Sequence, residues 1–440
     1  MLSSEHCSQI IREGAHPVYR GRVSIVSGVL VEAQGVPAAL GELCRIDRGR
    51  LGAIDAEVVG FRETSTLLMP HGNLDGIAPQ QLVSALGRPF TIPVGDQLLG
   101  RIIDGYGHPL DGGPAVRADE LRNVRQEAPD PLGRPPIVEP LQTGVRSIDA
   151  LNTVGRGQRL GIFSGSGVGK SSLLGQITRG TDADVVVVAL VGERGREVRA
   201  FVEEVLGEEG RKKAVLVVAT SDRAPIERYL APFVAMTVAE HFRDQGLNVL
   251  LVMDSVTRFA AACREIGLAA GEPPTVRGYP PSFFATVPKL VERMGRTGAG
   301  SITGLMTILL DGDDPNEPVA DTLRGLLDGH VFLSRDLAQS GHFPAVDVLQ
   351  SLSRLMPSLV SPEHQENSLA IRELLAAWRD GRDLVEIGAY HEGTNSRLDN
   401  AILRMPAIDA FLKQRPDEIS SVEEAVSLLD LVARGPEGIA

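Results

Sequence analysis

Between residues 21 and 92 the apolar positions come in short bursts. In "GRVSIVSGVLVEA" Val23, Ile25, Val29 and Val31 alternate with small or polar residues around a break at Gly28, and "AEVVGF" and "STLLMP" follow after Gly and polar turns. A period of two buries one face of a strand. Several such strands in close succession predict a small barrel or sandwich. Pro109 to Pro140, with "PLDGGP" and "APDPLGRPP", reads as an extended surface connection. From about Gly144 the apolar runs stop alternating: "RLGIF", "DVVVVALVG", "AVLVVAT", "NVLLVMD" and "SITGLMTILL" are separated by helical stretches such as "APIERYLAPFVAMTVAEHFRDQ". Runs apolar on both faces, joined by helices, predict a mostly parallel sheet covered on both sides. After Pro357 the period becomes helical. Leu369, Leu374, Leu375 and Trp378 recur at helical spacing, and Ser421 and Glu424 stand in capping-box register.

The 440 residues predict two or three domains. Charge narrows the function: a net charge of −13 argues against broad, sequence-independent nucleic-acid binding, which needs a cationic surface. Three cysteines, Cys7, Cys44 and Cys263, lie far apart without a C-x-x-C, which suits a reducing cytoplasm rather than a disulfide framework or zinc site. The N-terminal stretch lacks the apolar core of a secretory signal, and no run approaches the ~20 apolar residues of a membrane span. Any membrane role is then peripheral.

Residues 161–174, "GIFSGSGVGKSSLL", carry the chemistry. An apolar strand runs into Ser164, Gly165, Ser166, Gly167, Val168 and Gly169, then Lys170, Ser171 and Ser172 open a helix. The glycines let successive N–H groups face one oxyanion at the helix start, Lys170 supplies a point charge near the β/γ-phosphates, and Ser171 offers a hydroxyl to Mg²⁺. Ser164 replaces the first glycine of G-x-x-x-x-G-K-[ST], which a small residue can do if its φ stays negative. Asp254 ends "NVLLVMD", where a strand-end carboxylate either holds a magnesium-bound water or caps a helix. Glu193, just past another buried strand, is placed to orient or deprotonate water, with Arg194 beside it; alternatively Glu193, Arg194, Arg196 and Glu197 form a solvated charged turn. Spacing leaves Phe343 as a core residue or a purine-stacking aromatic, and Arg354 as a surface ion pair or a transition-state cation. The acidic "DGDDPNEPVAD" lacks calcium-loop spacing and reads as a solvated loop. His330 and His342 have no partner at ligand spacing, so neither is assigned a metal.

Taken in order, "VGDQLLGRIIDGYGHPLDGG", the phosphate loop, "VGERGREVRAFVEE", "ATSDRAPIERYLAP", "LLVMDSVTRFAAACREIGLAAGEPPTVRGYPPSFFATVPKLVERMG" and "DGHVFLSRDLAQSGHFPAVDVLQSLSRLMP" resemble one family. It is the export ATPase family of flagella and type III secretion systems, relatives of the rotary ATP synthase catalytic subunit. The resemblance implies an α/β fold with a RecA-like core (93–357), an N-terminal ring-forming β-barrel (21–92), a C-terminal helical domain (358–440) and an N-terminal regulatory segment (1–20). It implies a homohexamer hydrolysing ATP with Mg²⁺ at subunit boundaries, in the cytoplasm, peripheral at the inner-membrane base of the export apparatus. Implied partners are a stator-like regulator, a central coiled-coil stalk protein, an export gate and chaperone–substrate complexes, with no nucleic acid. By matching position, Glu193 is the water-activating glutamate, Asp254 the magnesium carboxylate, Phe343 the adenine-stacking aromatic and Arg354 the finger reaching a neighbour's site. Three other readings remain: a rotary ATP synthase catalytic subunit, a hexameric RNA translocase and a nucleotide-gated scaffold. The motifs do not separate flagellum from injectisome, and the flagellar system is the preferred of the two.

Overall fold

The computed structural model describes residues 20–435 apart from 118, 311, 313, 315 and 316. The expected N-terminal regulatory segment, with Cys7, lies outside the described residues except for Arg20. Six strands close into a barrel in the order β1-β2-β5-β4-β3-β6: Arg20–Ser27 (β1), Leu30–Gln34 (β2), Glu42–Asp47 (β3), Ala53–Arg62 (β4), Ser65–Pro70 (β5) and Leu82–Pro89 (β6). Gly28, at a φ of 60°, makes the tight β1–β2 turn. The interior is filled by Val23, Val31, Cys44, Ile46, Ala56, Val58 and Leu68. Strict alternation misplaces one residue: Ile25 is 50% exposed. The β1–β2 register shifts between Val23 and Ile25, and a bulge of this kind turns the next side chain outward.

The connection after the barrel is more structured than its proline and glycine content predicts. Thr91–Val94 (β7) pairs with Glu120–Asn123 (β9), and between them Ile102–Asp104 (β8) joins the core sheet at its edge. Two guanidiniums fasten this connection. Arg125, following β9, pairs with the buried Glu57 of the barrel. Arg293, 1% exposed, makes a bidentate pair with Glu240 (2.8 and 2.6 Å) and donates to the Val124 carbonyl (2.8 Å).

Two short strands, Pro140–Leu141 (β10) and Val154–Gly155 (β11), then pair with each other. The core strands are Arg159–Ser164 (β12), Val185–Val191 (β13), Ala214–Ala219 (β14), Asn248–Asp254 (β15), Gly295–Arg296 (β16), Ser301–Leu309 (β17), Gly329–Leu333 (β18) and Val346–Ser353 (β19). They order as β19-β18-β12-β17-β15-β13-β14-β8, parallel except for edge strand β19 and the short β16. Apolar residues of each central strand divide between two cores. Val185, Val187, Ala189 and Val191 face the helices Pro225–Asp244 and Val256–Ala269, whereas Val186, Val188 and Leu190 face the helix Lys170–Gly180 and the C-terminal helices. That two-sided burial is why these runs do not alternate.

The C-terminal helices are Pro362–Glu386, Ser396–Leu412 and Val422–Arg434. Ser421 and Glu424 form the reciprocal capping box. In the first helix the buried stripe runs through His364, Ser368, Ile371 and Leu374, so Leu369, one position round from Ser368, is exposed at 59%. Among the described residues no helix is long and apolar enough to cross a membrane.

Candidate functional site at the carboxyl edge of the sheet

Strand register brings the candidate residues together. Ser164, Leu309 and Leu333 are paired across β12, β17 and β18, while Leu190 of β13 pairs with Asp254 of β15. The parallel strands therefore end along one edge, the usual crevice for ligands in open α/β sheets. β12 passes into the helix Lys170–Gly180 through a loop whose positive φ values fall on Gly167 (78°) and Gly169 (91°). Ser164 stays in the strand, fully buried, with no hydrogen-bond partner for its hydroxyl among the described residues. The glycine-to-serine exchange is tolerated because the left-handed turns come later in the loop. Val168 anchors the loop in the core at 2% exposure, whereas Ser166, Gly167, Ser171 and Ser172 are exposed.

Lys170 donates from Nζ to Asp254 Oδ1 and lies 3.7 Å from Glu193 Oε1. Asp254 is 4% exposed, and its Oδ1 also accepts from Thr307 Oγ1 at 2.7 Å. Glu193 is held by backbone: Gly192 N donates to the Ala219 carbonyl (2.7 Å) and Ser221 N to the Glu193 carbonyl (3.1 Å). Burial pushes the Glu193 carboxyl up to about 7, assisted by the neighbouring Glu197 carboxyl and the charge of Asp254 and opposed by Lys170. A cavity of about 260 Å³ opens beside it, lined by Ser171, Ser172, Glu193, Glu197 and Asp254. The Ser171 hydroxyl and the Asp254 carboxylate are hard oxygen donors on one cavity wall, a set that fits Mg²⁺, which keeps several waters and takes few protein ligands.

Phe343 approaches the same loop. A methyl group at Gly169 would stand 3.3 Å from Phe343 Cε1, so this glycine serves both its φ and the close approach of the ring. Phe343 is 41% exposed, which is not a core position.

Arg354 is elsewhere. β19 runs antiparallel to β18, pairing Val346 with Leu333 at the loop edge and Ser353 with Gly329 at the opposite edge. Arg354 follows Ser353 and is exposed; its guanidinium donates to the Arg324 carbonyl at 3.4 Å. Arg194 is exposed, and its carbonyl accepts from Glu197 N at the start of the helix Gly195–Ala200; it is not drawn into the Lys170–Asp254 cluster. His342 is buried, with Nδ1 3.3 Å from the Pro344 carbonyl and Nε2 3.4 Å from Asp409. The acidic loop falls partly outside the described residues.

Sequence reasoning overlooks two residues. Thr307 has no local signature, since it reaches Asp254 only through the β15–β17 pairing. Arg258 packs its aliphatic stem over Gly192 beside Glu193. The only signal for it in the chain is its place early in the helix that follows the strand-end Asp254.

Comparison with known proteins places this geometry in context. Residues 144–353 match the ATP synthase alpha/beta family, nucleotide-binding domain, and residues 360–430 the T3SS EscN ATPase C-terminal domain. The flagellum-specific ATP synthase of Bacillus subtilis (strain 168) is 50% identical over 411 residues, 93% of this chain and 94% of the relative. The type 3 secretion system ATPase of Xanthomonas euvesicatoria is 49% identical over 414 residues, 94% and 93% of the two chains. Among solved structures, the assembled ATPase EscN from the enteropathogenic E. coli type III secretion system superimposes with a TM-score of 0.90 at 44% identity, covering 94% of this chain and 100% of EscN. EscN has also been solved in complex with its central stalk EscO, with a TM-score of 0.87 at 43% identity and the same coverage.

Proposed function

The chain belongs to the family of flagellar and type III secretion ATPases, and from that premise we propose that it is the ATP-driven motor of a protein-export apparatus, acting as a ring of six identical copies. The single observation carrying this reading is the meeting of Lys170, Glu193 and Asp254 at one sheet edge, beside a phosphate loop. In the proposed cycle the N–H groups of residues 165–170 and the helix N-terminus hold the phosphates, Lys170 turns its charge from the carboxylates to the β/γ oxygens, and Phe343 stacks on the base. Ser171 and Asp254 would hold Mg²⁺, which when bound neutralises charge on the β/γ-phosphates. Glu193 orients a water in line with the γ-phosphate and accepts its proton. Arg194, exposed beside Glu193, completes the proposed catalytic set, with Arg354 supplied by the neighbouring copy.

The pH dependence follows from the raised Glu193 carboxyl. Only the ionised form accepts a proton, so hydrolysis should rise about tenfold per pH unit below about 7 and level off above it. A kcat/KM–pH profile of the parent, which reports groups of the free enzyme, checks this, and the Glu193→Gln residual rate should show no such limb.

By analogy with assembled EscN and its EscO complex, the proposed partners are identical copies and a central coiled-coil stalk. A stator-like regulator at residues 1–20, the export gate and chaperone-bound substrates complete the set, at the cytoplasmic face of the inner membrane. Releasing and unfolding those substrates is the proposed work. Purified chain alone should hydrolyse ATP at a rate per chain that climbs with protein concentration as rings assemble, and single-stranded RNA should leave the rate unchanged. Silence without a second kind of subunit would support a rotary synthase subunit, and strong RNA stimulation a translocase.

A further inference from the structure

A cavity of about 750 Å³ lies where barrel and core meet, sharing no lining residue with the phosphate loop. The barrel contributes Arg45, Arg48, His71 and Arg88, and the core side Tyr106 and His108. Three of these walls carry a polar atom that is shut off from solvent and has no hydrogen-bond partner among the described residues: Arg48 Nε, His71 Nε2 and the Tyr106 hydroxyl. The His71 ring stacks on Tyr106 (centroids 4.9 Å, 18°) and meets Phe90 edge-on (5.1 Å, 82°), so its position is fixed by packing. Burial lowers the His71 imidazole to about 4, so the ring is neutral near pH 7 and one nitrogen can donate.

The charges around the cavity are lopsided. Arg45 is matched by Asp55 at 2.7 Å. Arg48 satisfies its terminal nitrogens on the carbonyls of Asp75 (3.2 Å) and Leu51 (3.3 Å), and Arg88 reaches Thr91 Oγ1 at 3.4 Å; neither has a carboxylate partner among the described residues. Two guanidiniums uncompensated by acids, a neutral imidazole and a phenol therefore border one space. All four can donate; Arg48 Nε, His71 Nε2 and the Tyr106 hydroxyl are buried and unpaired, which is costly, whereas Arg88 is exposed. A carboxylate offers two oxygens, whereas a phosphate monoester offers three, enough for donors arriving from separate elements. The volume exceeds that of phosphate alone, and the Phe90–Tyr106 wall suits an organic body.

We propose that this barrel–core cavity is a binding site for a small phosphate ester, held by Arg48 and Arg88 with His71 and Tyr106 completing its hydrogen bonds. The site does not depend on the hydrolytic reading. An occupant touching both barrel and core ties the two together and would be felt by the ring.

Calorimetric titration of glycerol 3-phosphate into the full chain, with its phosphate loop saturated by MgADP, tests the assignment; glycerol and citrate serve as controls. Saturable binding in the low millimolar range or tighter is expected, weakened by about tenfold or more in the Arg48→Ala/Arg88→Ala double variant. Tyr106→Phe, which keeps the ring stack, should weaken it less. Absence of saturable binding in the parent, or equal affinity in the double variant, overturns the proposal. Citrate binding as well as the phosphate overturns the phosphate assignment. Should the double variant bind normally but fail to form rings, the cavity is a seam between neighbouring copies instead.

Discussion

Arg354→Ala should bind MgATP with near-parental affinity and hydrolyse it about 10³–10⁵-fold more slowly, the range for loss of an arginine finger. The register of β18 and β19 makes the case. Ser353 pairs with Gly329 at the sheet edge away from the phosphate loop, so the exposed Arg354 cannot turn back to its own site. On the proposed reading a guanidinium on that edge serves another copy, as head-to-tail contacts that close into a ring would allow. Mixing settles the assignment. Arg354→Ala and Glu193→Gln chains should each be strongly impaired alone, but a joint ring would contain boundaries with an intact Glu193 on one side and an intact Arg354 on the other. Partial recovery of steady-state hydrolysis is expected. A co-assembled mixture with no recovery would show that Arg354 does not act across the boundary.

Lys170→Ala should lose both nucleotide affinity and turnover, unlike the finger variant. The lysine contacts Asp254 and stands 3.7 Å from Glu193, so its removal also leaves two carboxylates facing each other without their shared cation. Like charges at close range favour protonation of one of them, and the raised Glu193 carboxyl is the one placed to take it. A fall in kcat/KM of about 10³ or more, with nucleotide binding weakened in equilibrium titration, is the expected result. Lys170→Arg should not restore activity, because a planar fork does not reproduce a compact point charge in a loop built of backbone N–H groups. Retention of parental affinity in Lys170→Ala would refute the phosphate-loop assignment.

Much of this architecture was legible in the chain because burial imposes periodicity. The five continuous apolar runs are core strands, and the helical period and capping box after Pro357 reappear as packed helices, with Leu369 turned out of the buried stripe. Local pattern fails where a neighbour decides the outcome. Ile25 faces outward because of a bulge set by pairing with β2, and the "PLDGGP" connection gains β9 only because β7 is there to pair with it. The site divides the same way. The phosphate loop is contiguous, so its conformation is written in "SGSGVGKSS". Its meeting with Glu193 and Asp254 needs the sheet order, and Thr307 enters through strand register alone. The position of Arg354 on the opposite edge follows from the reversed direction of β19, which no local pattern specifies.

That reversed strand has a mechanical corollary. Phe343 lies three residues ahead of β19, against the loop of its own copy, and Arg354 one residue beyond it, so the two are joined by an eight-residue lever of about 27 Å. Hydrogen-bonded along one side to β18, the lever has little freedom to flex between its tips. On the proposed reading, a base settling against one tip adjusts the cation held out to the adjacent copy at the other, and successive pockets around the assembly keep step through a strut inside each subunit.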